Sequence, residues 1–178
     1  WQFKIDHPEW CIRGEGKYNF NWIHPEVPAE RLAIIEETVN RYDIEGIELD
    51  MVFQPYYFEK GKGEENRHIL TDFVRSVRRT VDEAAKKRGR SIMFGARILP
   101  TESGNRFQGI DITTWIKENA LDFVVPNFYI DRQIDSDFPF EWLVELSKDT
   151  TCKVYPCLQS RTWMGKHDSR TRRRWEYA

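Results

Sequence analysis

Short apolar runs alternate along this chain with longer amphipathic ones, and that alternation restricts the fold more than any other feature. "HPEVPAERLAIIEETVNRY" opens with Pro25 and Pro28 near a helix start, and Leu32, Ile35, Val39 and Tyr42 then recur at helical spacing. "DIEGIELDM" follows as a short strand. "EENRHILTDFVRSVRRTVDEAAKKRG" is the next helix, with Ile69, Phe73, Val77, Val81 and Ala84 on one stripe and Gly89 at its end. The rhythm continues through the strand "RSIMFGARIL", the helix "DITTWIKENA" with Asp111 as N-cap, the strand "LDFVVPNFYI", the helix "PFEWLVELSKD" and the strand "CKVYPCLQ". The tail "DSRTRRRWEYA" reads as the start of one more helix.

Strands that alternate with helices predict an α/β fold with parallel strands, and apolar strands predict a sheet covered by helices. The strand units recur about every 35 residues, as in a (β/α)₈ TIM barrel, which usually needs ~250 residues. The chain has 178 residues, so the expectation is a single domain, 1–178, holding about four to five βα units. Such a partial barrel would be the C-terminal portion of a longer one, and exposed sheet edges would then favour self-association. A small, open, doubly wound sheet is the rival. No Gly-rich phosphate loop follows any strand, which argues against nucleotide binding.

Within this frame the stretch "YDIEGIELDMVFQPYYF" stands out, because a buried strand there carries two carboxylates. Side chains alternate along a strand, so Glu48 and Asp50 share one face with Gly46, while Ile47, Leu49 and Met51 share the other. The apolar set should pack on helices, and the acids should face the barrel interior. Asp50 would lie at the C-terminal end of its strand, where barrel enzymes place their active sites. A carboxylate buried alone costs several kcal/mol, so these groups need a cation, a solvated cleft or a chemical task. One reading is a polar core layer with Arg97 as counter-ion, and Glu48, one layer deeper, suits that role or the orienting of Asp50.

The other strand ends supply matching groups: Arg97, then Asn127, Tyr129 and Asp131, then Gln159, Arg161 and Trp163. Carboxylates, amides, a guanidinium and aromatic rings at one rim suit a polyhydroxylated ligand. Aromatic residues reach 14% of the chain, with seven Trp, which fits a sugar cleft as well as a heavy core. Tyr56, Tyr57 and Phe58 follow Asp50 in a loop with glycines; they could line the cleft or pack the loop onto its own barrel.

Other classes of function find little support. The net charge of −2 exerts no general pull on nucleic acid or an anionic membrane, and no apolar run is long enough to span a bilayer. The four His are scattered, the three Cys form no Cys-x-x-Cys pair, and no metal site, cofactor or disulfide framework is expected. The chain starts at Trp1 without a Met, which is compatible with a removed leader and a secreted or periplasmic place, though the compartment stays open.

"DHPEWCIRG…NWIHPEVPAERLAIIEETVNRYDIEGIELDMVFQPYYF" resembles the family-10-like glycoside hydrolases of bacteria, which carry "HPEW", then "HPEV", then a "YD.DGIELDF….P.FF" segment. "VPNFY" and "KVYPCLQ" look like later strands of that group, so the resemblance runs from about Asp6 to Gln159. It implies a (β/α)₈ barrel acting on carbohydrate, of which this chain would cover roughly the third loop through the seventh strand. The same segment also looks like the family-18 chitinase strand, but aligned by Gly46, Glu48 and Asp50 the catalytic Glu of that pattern falls on Val52. The Asn-Glu dipeptide of family-10 xylanases is absent as well.

The expected activity is therefore hydrolysis of glycosidic bonds by two carboxyl groups, one acid and one nucleophile or base. Asp50 is the first candidate, Asp131 its best partner and Glu48 the third. Arg97, Asn127, Tyr129 and Gln159 would bind hydroxyls or balance charge, and Tyr57 and Trp163 would stack on sugar rings. A non-catalytic carbohydrate-binding barrel, or a barrel fragment without activity of its own, are the alternatives.

Overall fold

The computed structural model describes residues 2–14, 19–53, 56–127 and 139–157. A short helix α1 (Gln2–Asp6) and a single 3₁₀ turn (Pro8–Trp10) precede α2 (Glu26–Arg41). Then come β1 (Gly46–Asp50), α3 (Gly63–Arg88), β2 (Met93–Ile98), α4 (Glu102–Phe107), α5 (Ile112–Lys117), β3 (Phe123–Pro126), α6 (Glu141–Ser147) and β4 (Lys153–Val154). The strands form one sheet in the order β1-β2-β3-β4, and every neighbouring pair is parallel. The α/β class with helices between parallel strands is thus as expected, and the arrangement is compatible with part of a barrel.

The helices begin and end where local chemistry dictates. Pro25 occupies the N-cap of α2, where its missing N–H costs nothing. Gly89 ends α3 at φ +68, a left-handed cap that suits a residue without Cβ. The Asp111 carboxylate accepts the Thr114 N–H at 3.3 Å, capping α5 as its position in the sequence suggested. Helix α4 escaped the sequence reading, because "ESGNRF" has no apolar period. Two local ties hold it instead: the Thr101 hydroxyl accepts the Gly104 N–H, and the buried Asn105 amide bonds to Leu99 and Thr101.

One hydrophobic core joins the helices to one face of the sheet. Ile35 and Val39 of α2, Leu70, Phe73, Val74, Val77, Val81 and Ala84 of α3, Trp115 and Ile116 of α5 and Leu143 of α6 share it. Phe94, Ala96, Ile98 and Val124 meet them from the strands, with Ile47, Leu49 and Val154 packed alongside. Crossovers that step each time to the next strand with one handedness stack their helices on a single face, in keeping with the strand order and the shared core here. Tyr42 departs from the expected apolar stripe and is exposed, because α2 has ended and its backbone is already extended at ψ 143. The expected tail helix at 168–178 lies outside the described residues.

Candidate functional site

The strand alternation puts Gly46, Glu48 and Asp50 on the face that no described helix covers, while Ile47 and Leu49 pack toward the core. Register then assembles that face. Glu48 stands beside Gly95 and Asp50 beside Arg97; Gly95 stands beside Phe123 and Arg97 beside Val125. Lys153 is the β4 neighbour of Phe123, so Tyr155 and Cys157 continue the same face by alternation.

Glu48 and Arg97 form the electrostatic centre of the face. Arg97 donates from Nε to Glu48 Oε1 at 2.9 Å, and its terminal nitrogen lies 2.8 Å from the same oxygen. Arg97 also reaches the Cys157 Sγ at 3.6 Å. Partial burial works against its charge, but the Glu48 hydrogen bond and charge outweigh that and hold the guanidinium pKa above its ordinary value. Beside this pair the Phe123 ring lies flat over Gly95, where a Cβ would sit 2.3 Å from the ring. The exposed Tyr155 ring meets Phe123 edge-on at 6.1 Å.

Asp50 closes β1 and turns the chain. Its Oδ1 accepts the Val52 N–H at 3.0 Å and the Phe53 N–H at 3.1 Å, an Asx turn that fixes the carboxylate at the strand end. Asn127 follows the last residue of β3, is buried, and donates its backbone N–H to Ile98 at 2.8 Å. Parallel strands end on the same side of the sheet, so Asp50, Arg97 and Asn127 belong to one rim.

Tyr57 lies elsewhere than expected. Its ring is 8% exposed and edge-on to Trp22, and its hydroxyl donates to the Met51 carbonyl at 3.2 Å. Burial, with the Asp50 charge adding to it, holds the phenol far above its usual pKa. A ring packed this way offers no face to a sugar, so the stacking role expected of Tyr57 is corrected to a core role. Phe58 is buried too, so two of the three aromatic residues Tyr56, Tyr57 and Phe58 pack onto their own domain. Tyr129, Asp131, Gln159 and Trp163 lie outside the described residues.

Cys157 is the residue that sequence reasoning overlooked. In "KVYPC" it sits two and four positions from Tyr155 and Lys153, so alternation alone could have placed it on the Glu48 face. Among the described residues no three His, Cys, Asp or Glu side chains cluster as a metal site, and no helix is long and apolar enough to cross a membrane. No protein-family model matches the chain, and no curated protein matches it.

Proposed function

We propose that the protein is a glycoside hydrolase whose sheet is part of a (β/α)₈ barrel, with its cleft at the C-terminal ends of the strands. The observation that carries this reading is the gathering of Asp50, Arg97 and Asn127 at one rim, on and beside a sheet face bearing an Arg97–Glu48 pair. The strand order never reverses and the core helices pack on one face, which favours a barrel over a doubly wound sheet. The resemblance of the Tyr42–Phe58 segment to family-10-like hydrolases supports the same substrate class.

In this reading Asp50 is one of the two carboxyl groups that flank the scissile bond, acting as acid or as nucleophile or base. Asp131 remains the partner candidate. Glu48 becomes a positioning residue rather than a third acid, since it is committed to Arg97. Arg97 and Asn127 would meet hydroxyls at the rim, and Tyr129, Gln159 and Trp163 keep their expected binding roles.

The test is product release followed by mass spectrometry on a panel of polysaccharides, with the protein in its longest native form beside its Asp50→Asn variant. Cleavage that disappears in the variant supports the reading; undiminished cleavage removes Asp50 from the mechanism. The Asx turn at Asp50 favours a second reading, a carbohydrate-binding barrel in which this carboxylate serves the backbone. Glycan binding without cleavage by the wild type would select it.

A further inference from the structure

We propose that Tyr155 is a ring on which the glycan stacks, in a subsite more than one sugar unit away from the bond cleaved at Asp50. This inference rests on the carbohydrate reading above and gives Tyr155 the stacking role first expected of Tyr57.

Strand register places the ring. Asp50 stands beside Arg97, and Arg97 beside Val125. The β3–β4 pairing ends at Val124 and Val154, and the Tyr155 N–H still donates to the Val124 carbonyl at 2.9 Å, so the next two residues, Val125 and Tyr155, stand level. Asp50, Arg97, Val125 and Tyr155 therefore form one row across the sheet, at the end where its strands finish. Alternation puts Tyr155 on the face of Glu48 and Arg97. The Arg97 guanidinium spans the same ground, since it meets the Cys157 Sγ at 3.6 Å, two residues beyond Tyr155. Three strand spacings separate Asp50 from Tyr155, which is about 14 Å along the sheet. One sugar ring is too short to bridge that span, so Tyr155 serves a different unit of the chain from the one that Asp50 attacks or protonates.

The backbone under the ring is fixed while the ring stays open. The N–H groups of Tyr155 and Cys157 donate to Val124 and Pro126 at 2.9 and 3.0 Å, which ties the segment to β3 on both sides of Pro156. Pro156 also restricts Tyr155 to an extended backbone. Phe123, packed over Gly95, supports the Tyr155 ring edge-on, with 6.1 Å between centroids and 64° between planes. Tyr155 nevertheless remains 54% exposed. A ring held in place before a ligand arrives loses little freedom on binding, and its flat surface suits the C–H face of a sugar.

The test is isothermal titration of hexasaccharides and disaccharides of glucose, xylose and N-acetylglucosamine. It uses the longest native form carrying Asp50→Asn, so that turnover cannot interfere. At least one hexasaccharide should bind, and adding Tyr155→Leu should weaken it about tenfold. Tyr155→Phe and Tyr155→Trp should keep the affinity within twofold, because each restores a flat ring. A ring that only packs inside a barrel would tolerate leucine in the same way as phenylalanine, so the split between these variants separates stacking from packing. Thermal melting checks that each variant folds, and Tyr155→Phe against Tyr155→Trp decides the matter if Tyr155→Leu melts early: affinity lost in both overturns the platform. Unchanged hexasaccharide affinity in Tyr155→Leu overturns it too, as does a disaccharide weakened as much as the hexasaccharide, or failure of every hexasaccharide to bind. Cleavage by the protein with Asp50 intact is scored separately. Cleavage that does not depend on Tyr155 leaves the hydrolase reading standing without this subsite, and Tyr155-dependent binding without cleavage leaves the subsite standing without the hydrolase.

Discussion

Arg97 reaches down one layer of the sheet to Glu48 instead of across to Asp50, its register neighbour on β1. The two acids of β1 are thereby given different tasks. Glu48 has a cation, and among the described residues Asp50 has none within ion-pair distance. Asp50 is held by backbone N–H groups instead, which orient it without neutralising it. A site that needs one committed carboxylate and one poised one can be built this way from two positions of a single strand.

The Glu48–Arg97 pair also reports how open its sheet face is. The two side chains are 30% and 28% exposed, so solvent screens their attraction and the coupling should be about 0.5–1 kcal/mol. A double-mutant cycle with Glu48→Gln and Arg97→Gln, read by urea unfolding, measures it. A coupling of several kcal/mol would mean that the face is covered in solution.

Gly63→Ala should be among the most damaging substitutions of a small residue. The added Cβ would meet the Phe107 carbonyl at 2.1 Å and the Gly109 nitrogen at 2.6 Å, and both are backbone atoms that cannot rotate away. Overpacking of this kind costs about 1–3 kcal/mol, which denaturant unfolding resolves. Gly61→Ala, two residues earlier, meets nothing within 4 Å and is strained only by its φ of +78, so it should cost less. Equal losses at both positions would contradict the packing described here.

Cys152 ties stability to alkaline pH. Burial, with the Asp122 carboxylate adding to it, pushes its thiol up to about 12, against ~8.5 in an unfolded chain. Between those values the folded protein holds a proton that the unfolded one releases. The contribution is therefore fully present below about pH 8.5 and is lost as pH rises through the window. Cys152→Ala should show a smaller fall in unfolding free energy between pH 8 and pH 10 than the wild type. Parallel slopes would remove Cys152 as a source of the alkaline loss.

Much of this architecture was legible because period and punctuation agreed. Phe73, Val77, Val81 and Ala84 fall on the expected stripe, with Ile69 partly buried at its edge and Leu70 buried beside it, Gly89 ends their helix, and Glu48 alternates with Ile47 and Leu49 wherever the strand is placed. Tyr57 was not legible, because a tyrosine in a loop can face either way and only the Trp22 contact decides it. Helix α4 was hidden since side-chain caps, not apolar spacing, hold it. The Glu48–Arg97 pair was foreseeable as a pairing, but its stagger of one layer depends on strand register, which no local sequence signal states.

Asp50 carries both a structural and a chemical expectation, and two substitutions pull them apart. Asparagine keeps an oxygen where Oδ1 stands, so the Val52 and Phe53 N–H groups retain their acceptor and the turn after β1 survives. Alanine removes that acceptor and leaves the two donors to water, at a cost of about 1 kcal/mol by analogy with lost side-chain caps. Asp50→Asn should therefore unfold within a few tenths of a kcal/mol of the wild type, while Asp50→Ala falls clearly below both. Glycan cleavage, in contrast, should disappear in both, since neither amide nor methyl can exchange a proton as a carboxyl group does or attack as a carboxylate. If Asp50→Asn cleaves normally and only Asp50→Ala loses activity in step with its stability, the residue is a turn cap, and the catalytic acid must be sought on another strand end.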